Sequence, residues 1–367
     1  MLWIWDSRKI VYQIYETAGE IIDIICDVLA LGKKTMRIAI YKDTLRNGRG
    51  ADAATAALAE GLRERGYDVS LLTQDGMGFP GSSFRAARFD AREVANCDVI
   101  VSSGTNELLS LGDIAHGDCP PILQQFHTRP RHVFKWKHPI RNRRIVSALR
   151  RVAAIQVLRP DFVEEVRRFA PNASVAVIGN WSVGASGRTS DETETTRILC
   201  PGALNRDKNQ ELLIRAFGRV ADDFPEWTID ICGNGSTAWQ RRLRRLAARG
   251  LDSRINFNGY CDLSPFYARC AFVAFPSVDE GFPLSLIDAA AFGKTALTVR
   301  DWIGLAAVDA GVVSDPTVDA YADGLCRLMS DPASRRRLGA NAREFCAKHY
   351  SREKLLDEWT GLLASFD

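Results

Sequence analysis

The chain has 367 residues, of which 46% are hydrophobic and 25% are charged, and its formal net charge is +3. This length predicts about two domains, and the composition is typical of a folded protein rather than of a disordered or collagen-like chain. Its nine cysteines form no CxxC pair and its five histidines form no cluster at metal-ligand spacing, which argues against a zinc site and a disulfide framework and favours a reducing compartment.

Residues 1–35 form an N-terminal extension ahead of the first predicted strand. Apolar residues recur at helical spacing between positions 11 and 29, but Asp23 and Asp27 interrupt them. The run is therefore too short and too charged for a membrane-spanning helix, and no basic segment precedes it as in a signal peptide. Two interpretations stay open, a helix packed on the first domain or a helix lying along a membrane surface.

The first domain is predicted to open with a strand at residues 36–43, followed by a loop, a helix and a second strand. Leu58 and Leu62 share one face of the helix, and Gly66 is a natural stop after it. This order predicts a parallel, doubly wound sheet. The glycine-rich loop that ends at Gly50 is only a weak sign of nucleotide binding, because the GxGxxG fingerprint is missing.

Two further strands are predicted at residues 97–103 and 121–127, and the second ends in His127. Ligands of open α/β sheets bind at the carboxyl ends of the strands. His127 is therefore a candidate for the lining of a reaction cleft, although an ordinary histidine at a strand end would look the same in sequence.

Residues 129–151 contain nine Lys or Arg, two His and no acidic residue, so the rest of the chain carries 3 minus 9, or −6. Aromatic and aliphatic residues are interleaved with these charges. Such a segment would attract anionic lipid headgroups or a phosphorylated acceptor, and a solvated basic surface is the alternative. No nucleic-acid partner is expected, since no recognised nucleic-acid motif accompanies the charges.

Residues 182–196 are rich in Ser, Thr and Gly and are predicted to be a linker. They divide the chain into a first domain at residues 36–181 and a second domain at residues 197–349. A helix with Leu355, Trp359 and Leu362 at helical spacing follows within residues 350–367.

The second domain is predicted to begin with a strand, a basic loop and a helix, followed by another strand and a glycine turn at Gly233 and Gly235. The basic loop contains Gly202, Arg206 and Lys208. Because this loop follows the carboxyl end of a strand, its two cations are candidates for binding a ligand. A solvated basic turn is the alternative.

The most informative segment is residues 275–294, FPSVDEGFPLSLIDAAAFGK. Phe275 ends a buried strand, and Pro283 suits the first position of a helix. The loop between them and the positive end of the helix dipole would bind an anion such as a phosphate. Glu280 and Asp288 add two carboxylates that can accept hydrogen bonds from sugar hydroxyls, although acidic residues near a helix start are also common caps.

This segment resembles the donor-binding motif of the retaining family-four glycosyltransferases (glycosyl transferases group 1). Their motif has two glutamates separated by seven residues, here Glu280 and Asp288, and a glycine where this chain has Pro283. Residues 197–235 and the turn at Gly259 and Tyr260 match the same family in the same order. The resemblance covers about residues 36–367 and implies the α/β GT-B fold, in which two Rossmann-like doubly wound domains face each other across a cleft.

The resemblance also implies roles for individual residues. Arg206 and Lys208 would offset the charge of the leaving diphosphate, Glu280 would contact the transferred sugar, and His127 would contact that sugar or the acceptor. The C-terminal helix within residues 350–367 would cross back to the first domain. The residues expected to bind the donor are Gly50, Gly202, Gly259, Tyr260, Gly281, Phe282, Pro283, Leu284 and Asp288.

The implied activity is retaining transfer of a sugar from a nucleotide-diphosphate sugar to a saccharide or lipid-linked acceptor, in cell-envelope or extracellular polysaccharide synthesis. No metal or other cofactor is expected, because GT-B transferases use cations and a helix dipole in place of a metal. The expected location is the cytoplasm, with peripheral binding to the inner face of the membrane through residues 129–151. A nucleotide-sugar epimerase and a non-catalytic nucleotide-sugar-binding protein on the same scaffold are the alternatives.

Overall fold

The computed structural model describes residues 35–46, 50–80, 82, 85–114, 119–134, 137–182 and 195–366. The expectations for residues 1–34 and for most of the 182–196 linker fall outside these ranges.

The first domain is built on a parallel sheet with strand order β3-β2-β1-β4-β5-β6-β7. Its strands are nearly continuous apolar runs, as expected for a parallel sheet covered by helices on both faces. The strands are β1 (Arg37–Tyr41), β2 (Asp68–Thr73), β3 (Ala87–Arg88), β4 (Val99–Ser102), β5 (Ile122–Gln125), β6 (Ala154–Val157) and β7 (Ser174–Val177). The helices are α1 (Gly50–Glu64), α2 (Ala91–Ala95), α3 (Thr105–Ile114), α4 (Pro139–Leu149) and α5 (Asp161–Arg167), and a 3-10 turn spans Pro130–Val133.

The second domain has the same architecture, with a parallel sheet in the order β10-β9-β8-β11-β12-β13. Its strands are β8 (Arg197–Pro201), β9 (Thr228–Cys232), β10 (Ile255–Gly259), β11 (Phe272–Phe275), β12 (Ala296–Thr298) and β13 (Val312–Val313). Its helices are α6 (Gln210–Val220), α7 (Thr237–Ala247), α8 (Ser264–Arg269), α9 (Leu284–Ala291), α10 (Val318–Ser330) and α11 (Pro332–His349), and α12 (Arg352–Leu363) follows them. Two 3-10 turns span Ala306–Val308 and Ala364–Phe366.

Helix α6 shows how the hydrophobic pattern fixes an element. Leu213, Phe217 and Val220 recur at helical spacing and are buried against β8 and β9 in the core of the second domain. The order in which the strands are connected reverses between β1 and β4 in the first sheet and between β8 and β11 in the second. The carboxyl ends of these central strands therefore lie where ligands of doubly wound folds bind.

Helix α12 packs on the first domain although it follows the second in sequence. Leu356 and Trp359 are buried in the core that contains β1 and α1. Gly61 allows this close approach, since a Cβ atom there would lie 2.6 Å from Leu356 Cδ2. Ion pairs between Arg352 and Glu64 and between Arg65 and Asp357 border the contact.

The prediction for Pro283 was wrong by one position. Pro283 has non-helical backbone angles, φ −84° and ψ 74°, and α9 begins at Leu284. The amides of Leu286 and Ile287 donate to the Pro283 carbonyl, so this residue caps the helix instead of starting it. Within the described residues, every helix is too short or too polar to cross a lipid bilayer.

The packing of α12 leads to a first prediction. Trp359→Ala should lower the free energy of unfolding of the first domain by about 3–5 kcal/mol, because it leaves a cavity in a close-packed core. Glu358→Ala is the matched control on the same helix, where only an exposed pair with Lys354 is lost and the change should stay within about 0.5 kcal/mol. Guanidinium unfolding of both variants measures the difference, and equal stabilities would contradict the packing role.

Candidate active site

The carboxyl edges of the two sheets face each other across a narrow gap. Gly281, in the loop between β11 and α9, lies against the first domain, where an added Cβ would be 2.8 Å from the His127 carbonyl oxygen. Gly50, at the start of α1, lies against α9, and a Cβ there would be 3.0 Å from Leu284 Cδ1. Gly281 is thus placed where only a backbone without a side chain fits, whereas a side chain at Gly50 would require Leu284 to shift.

The centre of the site is an ion pair between Lys208 and Glu280. Lys208 Nζ donates to Glu280 Oε1 at 2.6 Å, and it also lies 5.2 Å from the centroid of the Phe275 ring. The Glu280 side chain is only 7% exposed and that of Lys208 is 22% exposed. The sequence suggested an exposed loop lysine, but the structure places it inside the cleft as the partner of a buried carboxylate.

Backbone turns at the ends of β8 and β9 form the floor beside this pair. Gly202 and Gly233 both have positive φ, of 128° and 157°, and a Cβ on Gly233 would lie 1.9 Å from the Gly202 carbonyl oxygen. The methylenes of Lys208 cover Gly202, at 3.5 Å from where its Cβ would be. The close approach of the two turns therefore requires glycine at position 233, and the methylene chain of Lys208 lies over the turn at Gly202.

The acidic loop before α9 is also held by side chains of the first domain. Asp279 Oδ2 lies 3.0 Å from His132 Nε2, and Asp279 Oδ1 lies 3.6 Å from Arg129. Arg129 is itself fixed by a 2.6 Å bond to Glu165. Asp279, which the sequence did not single out, thus orients the residue next to it, Glu280, relative to the opposite domain.

Asp288 is bound across the domain boundary instead of standing open. Ser182 Oγ donates to its Oδ1 at 2.6 Å. Burial raises the pKa of Asp288 from 3.8 to about 6, and the Ser182 bond opposes this shift. The Asp288 carboxylate, expected to bind the donor, therefore accepts a hydrogen bond from the end of the first domain.

His127 has a neutral imidazole in this environment. Burial, and secondly the charge of Lys42, lower its pKa from 6.5 to about 3. Its Nε2 lies 3.2 Å from Thr55 Oγ1 and 3.1 Å from Ser103 Oγ, while its buried Nδ1 has no hydrogen-bond partner among the described residues. The ring, two residues after β5, is thus fixed by a hydroxyl group of α1 and by that of the residue after β4.

A cavity of about 360 Å³ opens in the first domain beside His127. Lys42 and Glu107 form a 3.1 Å ion pair in its wall, and Asp43 accepts a bond from the Tyr41 hydroxyl at 2.9 Å. Burial, and secondly the Glu107 charge, raise the pKa of Asp43. The sequence analysis did not identify these residues. Asp43 follows β1 as His127 follows β5, so the rule that ligands bind at the carboxyl ends of strands also points to Asp43.

The remaining predicted residues lie around the same cleft but differ in exposure. Arg206 is exposed, two residues before Lys208 in the loop after β8. Tyr260 is 52% exposed after β10, and Gly259 accepts a bond from the Gly233 amide at 2.6 Å. The Phe282 ring packs edge-on against Tyr350 with the ring centroids 5.7 Å apart. No described acceptor takes the amides of Gly281 and Phe282.

Among the described residues, no group of three His, Cys, Asp or Glu side chains is arranged as metal ligands would be. The charges present in the cleft are those of side chains and of the α9 dipole. The arrangement can therefore place cations and backbone amides against an anionic ligand and carboxylates against its hydroxyl groups.

The Lys208–Glu280 pair leads to a second prediction. Lys208→Met should lower the free energy of unfolding by about 1–3 kcal/mol, because it leaves the Glu280 carboxylate buried without its cation. The double change Lys208→Met and Glu280→Gln should recover part of this loss. Lys354→Met, which removes an exposed pair on α12, is the control. Urea unfolding measures all three, and an unchanged stability of Lys208→Met would refute the pairing.

The raised pKa of Asp288 leads to a third prediction. A carboxyl group that binds its proton more tightly when folded destabilises the folded state progressively as pH rises from about 4 through 6. Asp288→Asn should therefore be more stable than the parent chain at pH 7, by up to about 3 kcal/mol, and equally stable near pH 4. Unfolding measured from pH 4 to 7 compares the two chains, and parallel pH curves would show that Asp288 is not perturbed.

Comparison with known proteins agrees with this geometry. Residues 195–331 match the family model of glycosyl transferases group 1. An uncharacterised glycosyltransferase of Haemophilus influenzae is 26% identical over 177 residues, covering 46% of this chain and 49% of the relative. A lipopolysaccharide core biosynthesis mannosyltransferase of Rhizobium leguminosarum is 27% identical, covering 43% of this chain and 47% of the relative. The chain thus spans about half the length of these relatives.

Solved structures resemble the chain over nearly its whole length. Anabaena HepE in complex with UDP-glucose superposes with a TM-score of 0.76 at 15% identity, covering 90% of this chain and all of that one. Sucrose-phosphate synthase from Thermosynechococcus elongatus superposes with a TM-score of 0.74 at 17% identity, covering 90% of this chain and 98% of that one. Residues 195–331 of the second domain thus carry the sequence pattern of the glycosyl transferases group 1 family, and the chain as a whole has the GT-B fold predicted from its sequence.

Proposed function

We propose that this protein is a glycosyltransferase that moves a sugar from a nucleotide-diphosphate sugar to an acceptor hydroxyl group. The single observation that carries the proposal is the Lys208–Glu280 pair in the cleft, 2.6 Å apart and beside the closely packed glycine turns after β8 and β9. A cation and a carboxylate side by side match a donor whose diphosphate is anionic and whose sugar carries hydroxyl groups.

The leaving group is the nucleoside diphosphate, which gains negative charge as the glycosidic bond breaks. Lys208, the nearby Arg206 and the amides of Gly281 and Phe282 would stabilise this charge at the start of α9. On donor binding, Lys208 would shift from Glu280 to the phosphate, and Glu280 would accept hydrogen bonds from the transferred sugar. The Lys208 ammonium group needed for catalysis would thus stay paired with the Glu280 carboxylate until the donor binds.

Two finer features of the reaction follow from the family resemblance. The sugar would keep its anomeric configuration, by a same-face displacement in which the leaving phosphate helps remove the acceptor proton. No metal would be required, because side-chain cations and the α9 dipole take its place at the diphosphate. Asp288 would bind the ribose hydroxyls once they replace Ser182 as its partner.

The acceptor would enter from the first domain, where the 360 Å³ cavity lies beside His127. A neutral His127 suits contact with a sugar or acceptor hydroxyl, since a neutral imidazole can donate or accept a hydrogen bond without placing a second cation beside Lys42. The Rhizobium relative acts in lipopolysaccharide core biosynthesis, which supports a saccharide or lipid-linked acceptor in envelope or extracellular polysaccharide synthesis.

The protein would act in the cytoplasm, at the inner face of a membrane. The basic segment 129–151 carries the positive charge needed to bind anionic lipid, and nucleic acid is not expected to be a partner of this segment. The eight described cysteines are all free thiols, which fits a reducing compartment.

The donor site is tested by binding and turnover of nucleotide sugars. UDP, GDP and ADP and their sugars are screened for a rise in melting temperature, since a ligand of the native state stabilises it. Nucleotide release and sugar transfer are then measured with the best donor. Glu280→Gln should reduce transfer roughly 10²- to 10³-fold while the protein stays folded, because a contact to the reacting sugar is lost.

Glu358→Gln, an exposed carboxylate on α12, is the matched control and should leave transfer unchanged. Full transfer by Glu280→Gln would refute the proposed role. Conversion of the donor sugar to its epimer without any acceptor would identify an epimerase, and nucleotide binding without turnover would identify a binding protein.

A further inference from the structure

Three consecutive residues of the loop between β11 and α9 contact different parts of the cleft. The Val278 amide donates to the Asp207 carbonyl at 2.8 Å, and Glu280 accepts a bond from Lys208 at 2.6 Å. Both of these contacts are made within the second domain, to the basic loop after β8. Asp279 lies between them and contacts the first domain instead. Because the three residues are consecutive, a displacement of Asp279 also moves Glu280.

The first-domain partners of Asp279 lie on the turn that follows His127. His132 Nε2 is 3.0 Å from Asp279 Oδ2, and Arg129 is 3.6 Å from Asp279 Oδ1. Arg129 is only two residues after His127 in sequence. The same short segment therefore carries His127 and the two groups that hold the neighbour of Glu280. The contact fixes one predicted site residue of each domain relative to the other.

Arg129 is anchored by its own domain. Its side chain is 14% exposed, and its Nε donates to Glu165 at 2.6 Å. Its guanidinium group also lies 3.9 Å from Asp161 and 5.8 Å from the centroid of the Phe162 ring. All three of these partners belong to α5. Arg129 is thus a fixed point of the first domain, and its distance from Asp279 depends on how closely the second domain approaches.

The contact between Arg129 and Asp279 is incomplete. Asp279 Oδ1 is buried and has no hydrogen-bond partner among the described residues. Its 3.6 Å separation from Arg129 is an ion-pair distance, whereas a charge-assisted hydrogen bond would need about 2.7–2.9 Å. A buried acceptor without a donor is costly. An approach of the two domains by less than about 1 Å would therefore be stabilised by this bond.

We propose that Asp279 is a positioning residue, which sets Glu280 for sugar transfer by completing its bond to Arg129 when the domains close on a bound donor. This role rests on the proposed transferase function and adds to it a residue that touches no substrate. The nucleotide binds to the second domain before this step. Asp279 therefore acts on the rate of transfer and leaves nucleotide affinity unchanged.

The proposal is tested on the full chain with the donor that the nucleotide-sugar screen selects. Asp279→Ala should lower kcat at least about tenfold, because a small misplacement at the reacting sugar is costly. Affinity for the matching nucleoside diphosphate (UDP, GDP or ADP), measured by isothermal titration, should change less than about twofold. Asp279→Asn keeps an acceptor oxygen and should retain at least about a third of the parent kcat. Asp252→Ala, an exposed position after α7, is the control and should change neither quantity.

Two double changes test the route of the effect. In a Glu280→Gln background, Asp279→Ala should lower kcat by less than about threefold, because the residue that it positions is already impaired. His132→Ala alone should lower kcat about threefold, and it should add nothing to Asp279→Ala, because the two side chains share one contact. Additive losses in either background would contradict the proposal.

Hydrogen exchange gives a measurement without turnover. In the ligand-free chain, the segment 276–284, which contains the bonded Val278 amide, should exchange at least about threefold faster in Asp279→Ala than in the parent or in Asp252→Ala. A full kcat in Asp279→Ala, a parallel loss of nucleotide affinity, or unchanged exchange would overturn the positioning role. A parent chain that neither binds nor turns over nucleotide sugars would refute the transferase function itself, and faster exchange in Asp279→Ala would then identify only a structural contact between the domains.

Discussion

The ion pair between Lys208 and Glu280 is the interaction on which the site depends. The two residues follow β8 and β11, which are neighbours in the second sheet, so the parallel topology brings their loops to the same edge. A carboxylate with 7% exposure is tolerated only with a partner, and Lys208, whose ammonium also lies over the Phe275 ring, is that partner. Neither charge is fully satisfied by the other, since a lysine has three donors and a carboxylate several acceptor positions. The pair is therefore stable without a ligand and still able to exchange partners when an anion enters.

The geometry of this pair is also set from the first domain. Arg129 and His132 hold Asp279, and the backbone at His127 lies against Gly281, so both neighbours of Glu280 contact the opposite sheet. Ser182 holds Asp288 at the boundary of the domains. A change in the relative position of the domains would therefore displace the carboxylates and the exposed amides together. In the proposed function, these short contacts would link donor binding to the arrangement of the two domains, without a long pathway between distant sites.

Much of this architecture could be predicted because it is local in sequence. The alternation of apolar strands and amphipathic helices indicated two doubly wound sheets, and the basic loop and the acidic loop could be placed at strand ends. The contacts between domains could not be predicted in the same way. The bond from Ser182 to Asp288 joins residues 106 positions apart, and the burial of Lys208 depends on the glycine turns that it covers. Only the folded chain shows that the second carboxylate of the motif is already engaged, and that Pro283 caps α9 instead of starting it.

The two sides of the cleft differ in electrostatic environment, and this difference fits the separate roles proposed for them. In the second domain, Lys208 is paired with Glu280, and exposed Arg206 and the N-terminal end of the α9 dipole add positive potential on this side. In the first domain, Lys42 is neutralised by Glu107, and His127 stays uncharged because burial lowers its pKa to about 3. A diphosphate is thus attracted to one side, whereas the other side offers hydrogen bonds without a strong field. In the proposed reaction, an acceptor hydroxyl would approach the sugar there without competing for the cations.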